Sequence, residues 1–138
     1  MYQKVLMFRQ YHLAEKILAS NNPSEIKRLG RTRFPEFNSD VWDRTSYAIV
    51  KRGVRAKFEQ NKDLLQVLLD TQDNVLAECS LMDKKWGIGV AIDNPDCSDP
   101  SKWNGKNYLG RILMEVRDEL RRLSAAGRIG YVDAKDLQ

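Results

Sequence analysis

The sequence is poor in the residues that build metal centres and disulfide frameworks. Its 138 residues include one histidine, His12, and two cysteines, Cys79 and Cys97. A single histidine argues against a histidine-based metal site or a catalytic triad. The cysteines have neither zinc-ligand spacing nor the density of a disulfide scaffold, and they are typical of a reducing, cytoplasmic setting. The sequence therefore predicts no metal and no cofactor.

Long apolar runs are also missing. No stretch approaches the roughly 20 residues needed to cross a bilayer. Lys4 and Arg9 interrupt the apolar core that a signal peptide would need. We therefore expect no membrane partner and no secretory leader.

The net charge of +4 is unevenly distributed along the chain. Residues 1–60 carry twelve Lys and Arg against six Asp and Glu, whereas residues 61–105 carry four against eight. This distribution could bring phosphate-binding cations beside catalytic carboxylates, but solvated helix faces produce the same pattern. The basic residues are scattered and follow no nucleic-acid recognition motif, so charge alone gives that function little support.

Most of the chain has the apolar periodicity of α-helices, beginning with a broken stripe across residues 2–19. Capping residues predict where three later helices begin: Asn22, followed by Pro23 and a terminal Gly30; Asp40; and either Asn61 or Asp63. Spacing predicts the inward-facing residues of the last two helices: Leu64, Leu65, Val67, Leu68 and Leu69 in one, and Leu109, Ile112, Leu113, Val116, Leu120 and Leu123 in the other.

The remaining segments set the fold class and the domain limits. Residues 74–80, "NVLAECS", are short and partly apolar and are the best strand candidate. Residues 91–104 carry two prolines and three aspartates and are typical of a loop. Residues 124–138 are small and polar, which predicts an appended tail. The expected architecture is mainly α with a minor β element, in a single domain over residues 1–123.

One short stretch, "ECSLMDKKWGIG" at residues 78–89, carries the residues best suited to chemistry. Glu78 and Asp83 could project into one cleft and stabilise positive charge on a sugar. The same spacing fits an ordinary strand-edge acid followed by a turn-forming aspartate. Trp86 offers a stacking face for a planar base, and Gly87 would let a ligand approach the backbone. The tryptophan equally fits a core anchor.

Other candidate residues lie outside this stretch. Trp42, at the start of the long helix, has the same two interpretations as Trp86. Arg31 follows a helix end, where a cation is also favoured by the helix dipole. Lys57 lies on the long helix. Both cations could hold a phosphate, although most surface cations hold nothing.

Several motifs occur together in a recognisable order. They are "MYQKVLMF", "IKRLGR", "RGVRAKFEQN", "LLDTQDNVLAECS", "MDKKWGIG", "W-x-G-x-N-x-L-G" and "LMEVRDEL". In order and spacing the set resembles the YbiA-like, or NADAR, family from Met1 to about Leu123. The resemblance implies a mainly helical fold, no metal, and an N-glycosidase activity. Family members act on phosphorylated intermediates of riboflavin biosynthesis or remove ADP-ribose from modified guanine.

The resemblance also implies roles for individual residues. Asp83 and Glu78 match the family's acidic positions before the "WG" turn, with Asp83 at the reaction centre. Trp86 and Trp42 match tryptophans that stack on the base or shape its pocket.

Further residues are expected to bind the substrate. Lys4 and Arg31 match cations that suit a phosphate-bearing ligand. Asn107, in the "N-x-L-G" element, either hydrogen-bonds the ligand or caps the last helix. Lys57 and Gly87 complete the expected substrate-binding set.

One family feature has no counterpart in the sequence. Family members carry a catalytic glutamate in a segment that precedes the position of Met1, and no residue of this chain matches it. We expect an N-glycosidase that cleaves a phosphorylated ribosyl-base or ADP-ribosyl-guanine. The alternative is a catalytically weak or inactive ADP-ribose-binding module. Without that segment an apolar face would be exposed, which predicts a homo-oligomer.

The expected partner is a small phosphorylated ribosyl or ADP-ribosyl ligand, which follows from the implied sugar chemistry. ADP-ribosylated nucleic acid is a further candidate because some family members act on modified guanine.

Overall fold

The computed structural model describes residues 1–127, which form α-helices, two short 3₁₀ turns and loops but no β-strand. The helices are α1 (Tyr2–Met7), α2 (Tyr11–Ala19), α3 (Pro23–Gly30), α4 (Ser39–Glu59), α5 (Lys62–Asp70) and α6 (Tyr108–Ala125). The chain divides into two compact units, Met1–Ile49 and the part from Val50 onward. Helix α4 begins in the first and ends in the second. The prediction of a mainly helical fold is confirmed.

Helices α1, α2 and α3 surround the core of the first unit. Five buried side chains form this core: Val5, Leu13, Ala14, Ile17 and Leu29. Leu13 and Ile17 share a face of α2 because they lie four residues apart. The helical stripe predicted for residues 2–19 is interrupted at Arg9, whose φ of 57° is left-handed and ends α1.

Two of the three predicted helix starts are confirmed. The side chain of Asn22 accepts hydrogen bonds from the backbone N–H groups of Ser24 and Glu25, which caps α3. Asn61 immediately precedes α5, although its side chain makes no cap hydrogen bond.

The prediction that Asp40 caps α4 is wrong. The helix begins at Ser39, so Asp40 lies inside its first turn. The side chain of Asn38 accepts a hydrogen bond from the Val41 N–H at 3.0 Å. Asparagine and aspartate are equally good caps, so the sequence alone could not separate these neighbouring positions.

Helices α5 and α6 supply most of the core of the second unit. Its buried residues include Leu65, Leu68, Leu69, Ile112, Val116 and Leu120. The last three follow one another at intervals of four along α6, as its predicted stripe requires. Leu64 and Val67 were also predicted to face inward, but their side chains are 38% and 65% exposed. A helix of nine residues buries one face only, and these two residues lie outside it.

The predicted strand at residues 74–80 is wrong. The segment has no regular secondary structure, and it pairs with no strand in the part of the chain that the structure describes. Side chains of α6 and of the residue before it bond to three of its backbone groups, in place of a ladder. Arg117 donates to one carbonyl of the segment at 2.8 Å, and the Asn107 amide bonds to its backbone at two further points.

Arg117, a residue of α6, bonds to the start of this segment and is 3% exposed. Its Nη1 donates to the Thr71 hydroxyl at 2.9 Å and to the Asn74 carbonyl at 2.8 Å. Its Nε lies 3.4 Å from the Asp118 carboxylate. Since Thr71 is the C-cap of α5, Arg117 joins the end of α5 to residues 74–80 and to α6.

Ion pairs join the second half of α4 to α6. The Nζ of Lys51 lies 2.7 Å from Glu115 and 2.8 Å from Glu119. Hydrogen bonds to Glu115, and then to Glu119, raise the pKa of Lys51 above its ordinary value. Arg55 adds a longer contact of 3.4 Å to Glu119. These side chains are partly solvated, and such pairs contribute about 0–1 kcal/mol each.

No helix within residues 1–127 has the length and apolar content of a membrane-spanning segment. Helix α6 continues to Ala125. The predicted tail therefore begins within this helix, and residues 128–138 lie outside the described part of the chain. The domain limit at residue 123 stays a prediction.

Replacing Arg117 with Met is expected to lower the free energy of unfolding by about 1–3 kcal/mol, because the Thr71 hydroxyl and the Asn74 carbonyl lose hydrogen bonds to a charged donor that is itself buried. Urea denaturation followed by circular dichroism measures the change. The matched control is Arg122→Met, an exposed arginine of the same helix, which should shift stability by less than about 0.5 kcal/mol. Equal losses in the two variants would contradict the role given to Arg117.

Candidate active site

Asp83 organises a tight turn of residues 83–87 in the second unit. Its Oδ1 accepts hydrogen bonds from the backbone N–H groups of Lys85, at 3.1 Å, and Trp86, at 2.8 Å. Its main-chain carbonyl accepts from the Gly87 N–H at 3.1 Å. Aspartate favours this conformation because its short side chain reaches the backbone two or three residues ahead. The interpretation of Asp83 as a turn-forming residue is thus confirmed. It is compatible with a chemical role, because the side-chain bonds of the turn use only Oδ1.

The turn is joined to the start of α6 by four backbone hydrogen bonds. The N–H groups of residues 106, 107, 108 and 109 donate to the carbonyls of residues 84, 87, 85 and 86, over 2.8–3.2 Å. The first N–H groups of a helix lack partners within the helix, so the turn satisfies two of those of α6. These groups are therefore engaged and do not offer an anion site.

Asn107 fixes the segment that carries Glu78. It is 4% exposed and adopts a left-handed conformation with φ 50°. Its Oδ1 accepts from the Glu78 N–H at 3.1 Å, and its Nδ2 donates to the Leu76 carbonyl at 2.8 Å. It occupies the N-cap position of α6 without a side-chain cap bond. Its amide holds residues 76–78 in place, a role that neither sequence interpretation included.

The glycines of this region leave no space for a side chain. A Cβ on Gly87 would lie 2.7 Å from the Asp83 carbonyl oxygen and 2.8 Å from that of Glu78. A Cβ on Gly105 would lie 2.6–2.8 Å from the backbone of residues 88 and 89. Gly87 was predicted to admit a ligand, but its buried Cα faces the protein's own backbone. The two acidic residues therefore converge on Gly87 through their main chains.

Glu78 and Asp83 differ in their surroundings. Asp83 is half-buried, and within residues 1–127 its Oδ2 takes part in no hydrogen bond or ion pair. The Glu78 side chain is exposed, whereas its backbone is fixed on both sides, by Asn107 and by the Ile88 N–H at 2.9 Å. Each carboxylate has a fixed attachment point and an oxygen that can face a ligand.

Trp86 lies in a cluster of rings and ammonium groups. Its ring packs edge-on against Tyr108, with centroids 6.0 Å apart and planes at 77°. The Nζ of Lys85 lies 5.5 Å from the Trp86 centroid, and that of Lys106 lies 5.6 Å from the Tyr108 centroid. We call these four residues the basic–aromatic cluster. Of its members the sequence predicted only Trp86, although a lysine stands one residue before the tryptophan in "KKWG" and two residues before the tyrosine in "GKNY".

Lys4 is the best-defined cation of the first unit. Its Nζ donates to the Gly30 carbonyl at 2.9 Å and lies 4.5 Å from the Phe37 ring centroid. Partial burial lowers the pKa of Lys4, and the positive charge of Arg31 lowers it further. The structure thus brings the predicted pair Lys4 and Arg31 within electrostatic range of each other. Phe37 belongs to a triad with Phe8 and Phe34, at centroid distances of 5.2–5.8 Å.

The two remaining predicted residues lie on α4. Trp42 is half-buried near the start of the helix, in the first unit, and its backbone N–H donates to the Asn38 carbonyl at 3.1 Å. Lys57 is exposed in the second unit, where its Nζ lies 5.5 Å from the Phe58 ring centroid. Their roles toward a substrate stay predictions.

Two open clefts lie in the first unit, and neither is lined by a predicted site residue. One, of about 410 Å³, is lined by residues 7–10 and Glu36. The other, of about 580 Å³, is lined by Leu13, Lys16, Ala19, Ser20, Glu25, Arg28, Leu29 and Thr32.

The chain has clear relatives among known proteins. The family model of the NADAR domain matches residues 1–121. The N-glycosidase R617 of Acanthamoeba polyphaga mimivirus is 40% identical over 119 residues, which are 86% of this chain and 69% of that protein. The protein irg-1 of Caenorhabditis elegans is 37% identical over 121 residues, 87% of this chain and 57% of its own length.

A third relative is longer. The chloroplastic riboflavin biosynthesis protein PYRR of Zea mays is 34% identical over 125 residues, 88% of this chain and 18% of that protein. The chain therefore spans from less than a fifth to just over two thirds of these relatives. With a family model matching most of its length, the chain belongs to the NADAR domain family.

Replacing Gly87 with Ala is expected to lower the free energy of unfolding by about 1–3 kcal/mol, because the added methyl group collides with two carbonyl oxygens. Gly53→Ala is the control, since no heavy atom lies within 4 Å of a Cβ at that position in α4. It should stabilise the protein by about 0.5–1 kcal/mol. Chemical denaturation of both variants measures the difference, and a Gly87→Ala protein as stable as the wild type would contradict this packing.

Proposed function

Because the chain belongs to the NADAR family, we propose that it is an N-glycosidase. The substrate we infer is a phosphorylated ribosyl-base or an ADP-ribosyl-guanine, hydrolysed between the anomeric carbon and a base nitrogen. The N-glycosidase among the relatives supports this reaction class. The observation that carries the assignment of the site is the turn that immobilises Oδ1 of Asp83 and leaves Oδ2 for a ligand.

The chemistry follows from the charge that develops on the sugar. As the C–N bond breaks, positive charge grows at the anomeric carbon, and a nearby carboxylate stabilises it. A water molecule then forms the new C–O bond and gives up a proton, while the departing base nitrogen gains one. Oδ2 of Asp83 is assigned to the anomeric carbon because two backbone N–H groups already engage Oδ1.

Glu78 is the second carboxylate of this proposal. Its exposed side chain starts from a backbone fixed by Asn107 and Ile88. This arrangement suits a group that moves a proton between water and the leaving base while keeping its position. Asn107 then acts as a positioning residue, because its amide is hydrogen-bonded to residues 76 and 78 and not to the substrate.

The basic–aromatic cluster is assigned to the base of the ligand and to a phosphate of the same ligand. Stacking a base on an aromatic ring contributes about 1–3 kcal/mol. Trp86 is half-buried beside Asp83, so a base on this ring would lie near the carboxylate. The ammonium groups of Lys85 and Lys106 flank the rings and supply positive charge for a phosphate of the same ligand.

Asp83→Asn tests the charge separately from the turn. The asparagine carbonyl can still accept the hydrogen bonds from Lys85 and Trp86, so the fold should be retained. Hydrolysis should fall by at least about 10²-fold, the range for loss of an acid–base group. Chromatography measures release of the free base from the phosphorylated ribosyl-base and release of ADP-ribose from ADP-ribosyl-guanine. The control Asp93→Asn changes an exposed loop carboxylate and should keep wild-type turnover.

The same assay separates the enzyme from the binding module. Calorimetry with ADP-ribose is run beside it on wild type and Asp83→Asn. Binding without base release from any substrate would favour the module and overturn the N-glycosidase. Wild-type turnover by Asp83→Asn would overturn the role of Asp83 alone.

We also propose that Lys4 and Arg31 bind a phosphate within the first unit, considered by itself. Burial and the Arg31 charge lower the pKa of Lys4, so this amine loses its proton at a lower pH than an ordinary lysine. A bound phosphate favours the protonated amine and would raise that pKa. Affinity for a phosphorylated ribose should therefore fall as pH rises through the lowered pKa.

Calorimetry with ribose 5-phosphate between pH 7 and pH 10 measures this dependence, because the phosphate remains a dianion over that range. Lys4→Met should bind more weakly at pH 7 and lose most of the pH dependence. Lys27→Met, which changes an exposed lysine of α3, should behave as wild type. An unchanged profile in Lys4→Met would remove Lys4 from the phosphate site.

A further inference from the structure

Helices α2 and α3 pack against each other in the first unit, and residues of both line an open cleft of about 580 Å³. This volume lies within the roughly 300–1,000 Å³ that small-molecule sites occupy. The apolar part of its lining consists of Leu13, Ala19 and Leu29, which we call the apolar wall. Leu13 and Leu29 are each 6% exposed and belong to the core of the unit, so the fold fixes their positions.

Three hydrogen-bond donors line the same cleft and are available to a ligand. Within residues 1–127 the Lys16 ammonium takes part in no ion pair or hydrogen bond, and the Thr32 hydroxyl takes part in no hydrogen bond. The Nη2 of Arg28 lies 3.8 Å from the Oε1 of Glu25, which is longer than a hydrogen bond. The guanidinium group therefore keeps its donors. The three groups come from α2, from α3 and from the segment after α3.

The balance of charge at the cleft is positive. Its lining residues include one carboxylate, Glu25, whose Oε2 accepts a hydrogen bond from the Ser20 hydroxyl at 2.6 Å. Two cations of the lining thus stand against one carboxylate that is already engaged. The adjoining sequence adds to the positive field, because residues 27–33 contain four Lys and Arg and no Asp or Glu. Such a field attracts an anion.

We propose that this cleft binds a small phosphate monoester, with its phosphate on Lys16, Arg28 and Thr32 and its organic part against the apolar wall. A phosphate dianion accepts charge-assisted hydrogen bonds from ammonium and guanidinium groups, and a guanidinium can bind it through two parallel N–H groups. Inorganic phosphate would use the donors but leave the apolar wall in water. An organic phosphate uses both parts of the lining.

The cleft is separate from the phosphate site proposed above. Neither Lys4 nor Arg31 lines it, and the Nζ of Lys4 is bonded to the Gly30 carbonyl. The proposal therefore does not rest on the glycosidase assignment. A ligand that binds Lys16 of α2 and Arg28 of α3 together would join these two helices and stabilise the folded chain.

Calorimetry with phenyl phosphate at constant ionic strength tests the site, in the wild-type chain and in Lys4→Met, where the other phosphate site cannot contribute. In both backgrounds Lys16→Met and Arg28→Met should each raise the dissociation constant at least about 10-fold, because each removes a charge-assisted contact. The matched control is Lys27→Met, which removes the same charge from an exposed residue of α3 outside the lining and should keep the affinity of its background. Lys16 and Arg28 are also exposed, so their variants should fold.

A second set of measurements tests the remaining parts of the lining. Thr32→Val keeps the shape of the side chain without its hydroxyl, so it should raise the dissociation constant about 3- to 10-fold. Inorganic phosphate should bind at least about 10-fold more weakly than phenyl phosphate, because it buries no apolar surface. Saturating phenyl phosphate should raise the melting temperature of the wild-type chain, as any ligand of the folded state does.

Four results would contradict the proposal. Without saturable binding of phenyl phosphate at millimolar concentration, the cleft is not a phosphate site. Equal affinities in Lys16→Met, Arg28→Met and Lys27→Met would show that binding follows net charge alone. Inorganic phosphate that binds as tightly as phenyl phosphate would overturn the assignment to a monoester. A tyrosine-phosphorylated peptide that binds more tightly than phenyl phosphate would overturn the assignment to a small molecule.

Discussion

The backbone hydrogen bonds between residues 84–87 and residues 106–109 are the constraint on which the candidate site of the second unit depends. A helix begins with N–H groups that lack partners, and a tight turn leaves carbonyls that need donors. Here each supplies what the other lacks. The orientation of Asp83, the placement of Trp86 and the starting point of α6 are consequently parts of one arrangement. Asn107 extends it to Glu78, because its left-handed backbone turns its amide toward residues 76–78.

In this unit, side chains make hydrogen bonds to the backbone that a neighbouring β-strand would usually make. Residues 74–80 pair with no strand within the described part of the chain, and the side chains of Arg117 and Asn107, together with the Ile88 N–H, bond to their backbone instead. Both side chains are buried, and a buried polar group is costly when its partner is lost. The position of the segment therefore depends on very few residues, in contrast to a strand that is hydrogen-bonded along its whole length.

The parts of the fold that the sequence predicted are those encoded locally. Asn22 and Pro23 determine the start of α3 within three residues, and the stripe of α6 repeats within its own length. Local sequence could not decide whether residues 74–80 form a strand, because the hydrogen-bond partner of residue 76 is a side chain 31 residues further on. Local spacing likewise pointed to Asp83 and Trp86. Tyr108 and Lys106 are distant from Asp83 and Trp86 in the sequence and approach them only in the folded structure. No short-range sequence pattern could therefore predict the basic–aromatic cluster.

The turn owes its shape to main-chain atoms, to glycine and to one aspartate oxygen, and this has an evolutionary consequence. Lys84 and Lys106 contribute their backbone to the framework, while their side chains are exposed. Mutation can therefore exchange these two lysines without disturbing the turn that holds Asp83. Such positions are where the surface can diverge between related proteins while the Asp83 turn stays in place.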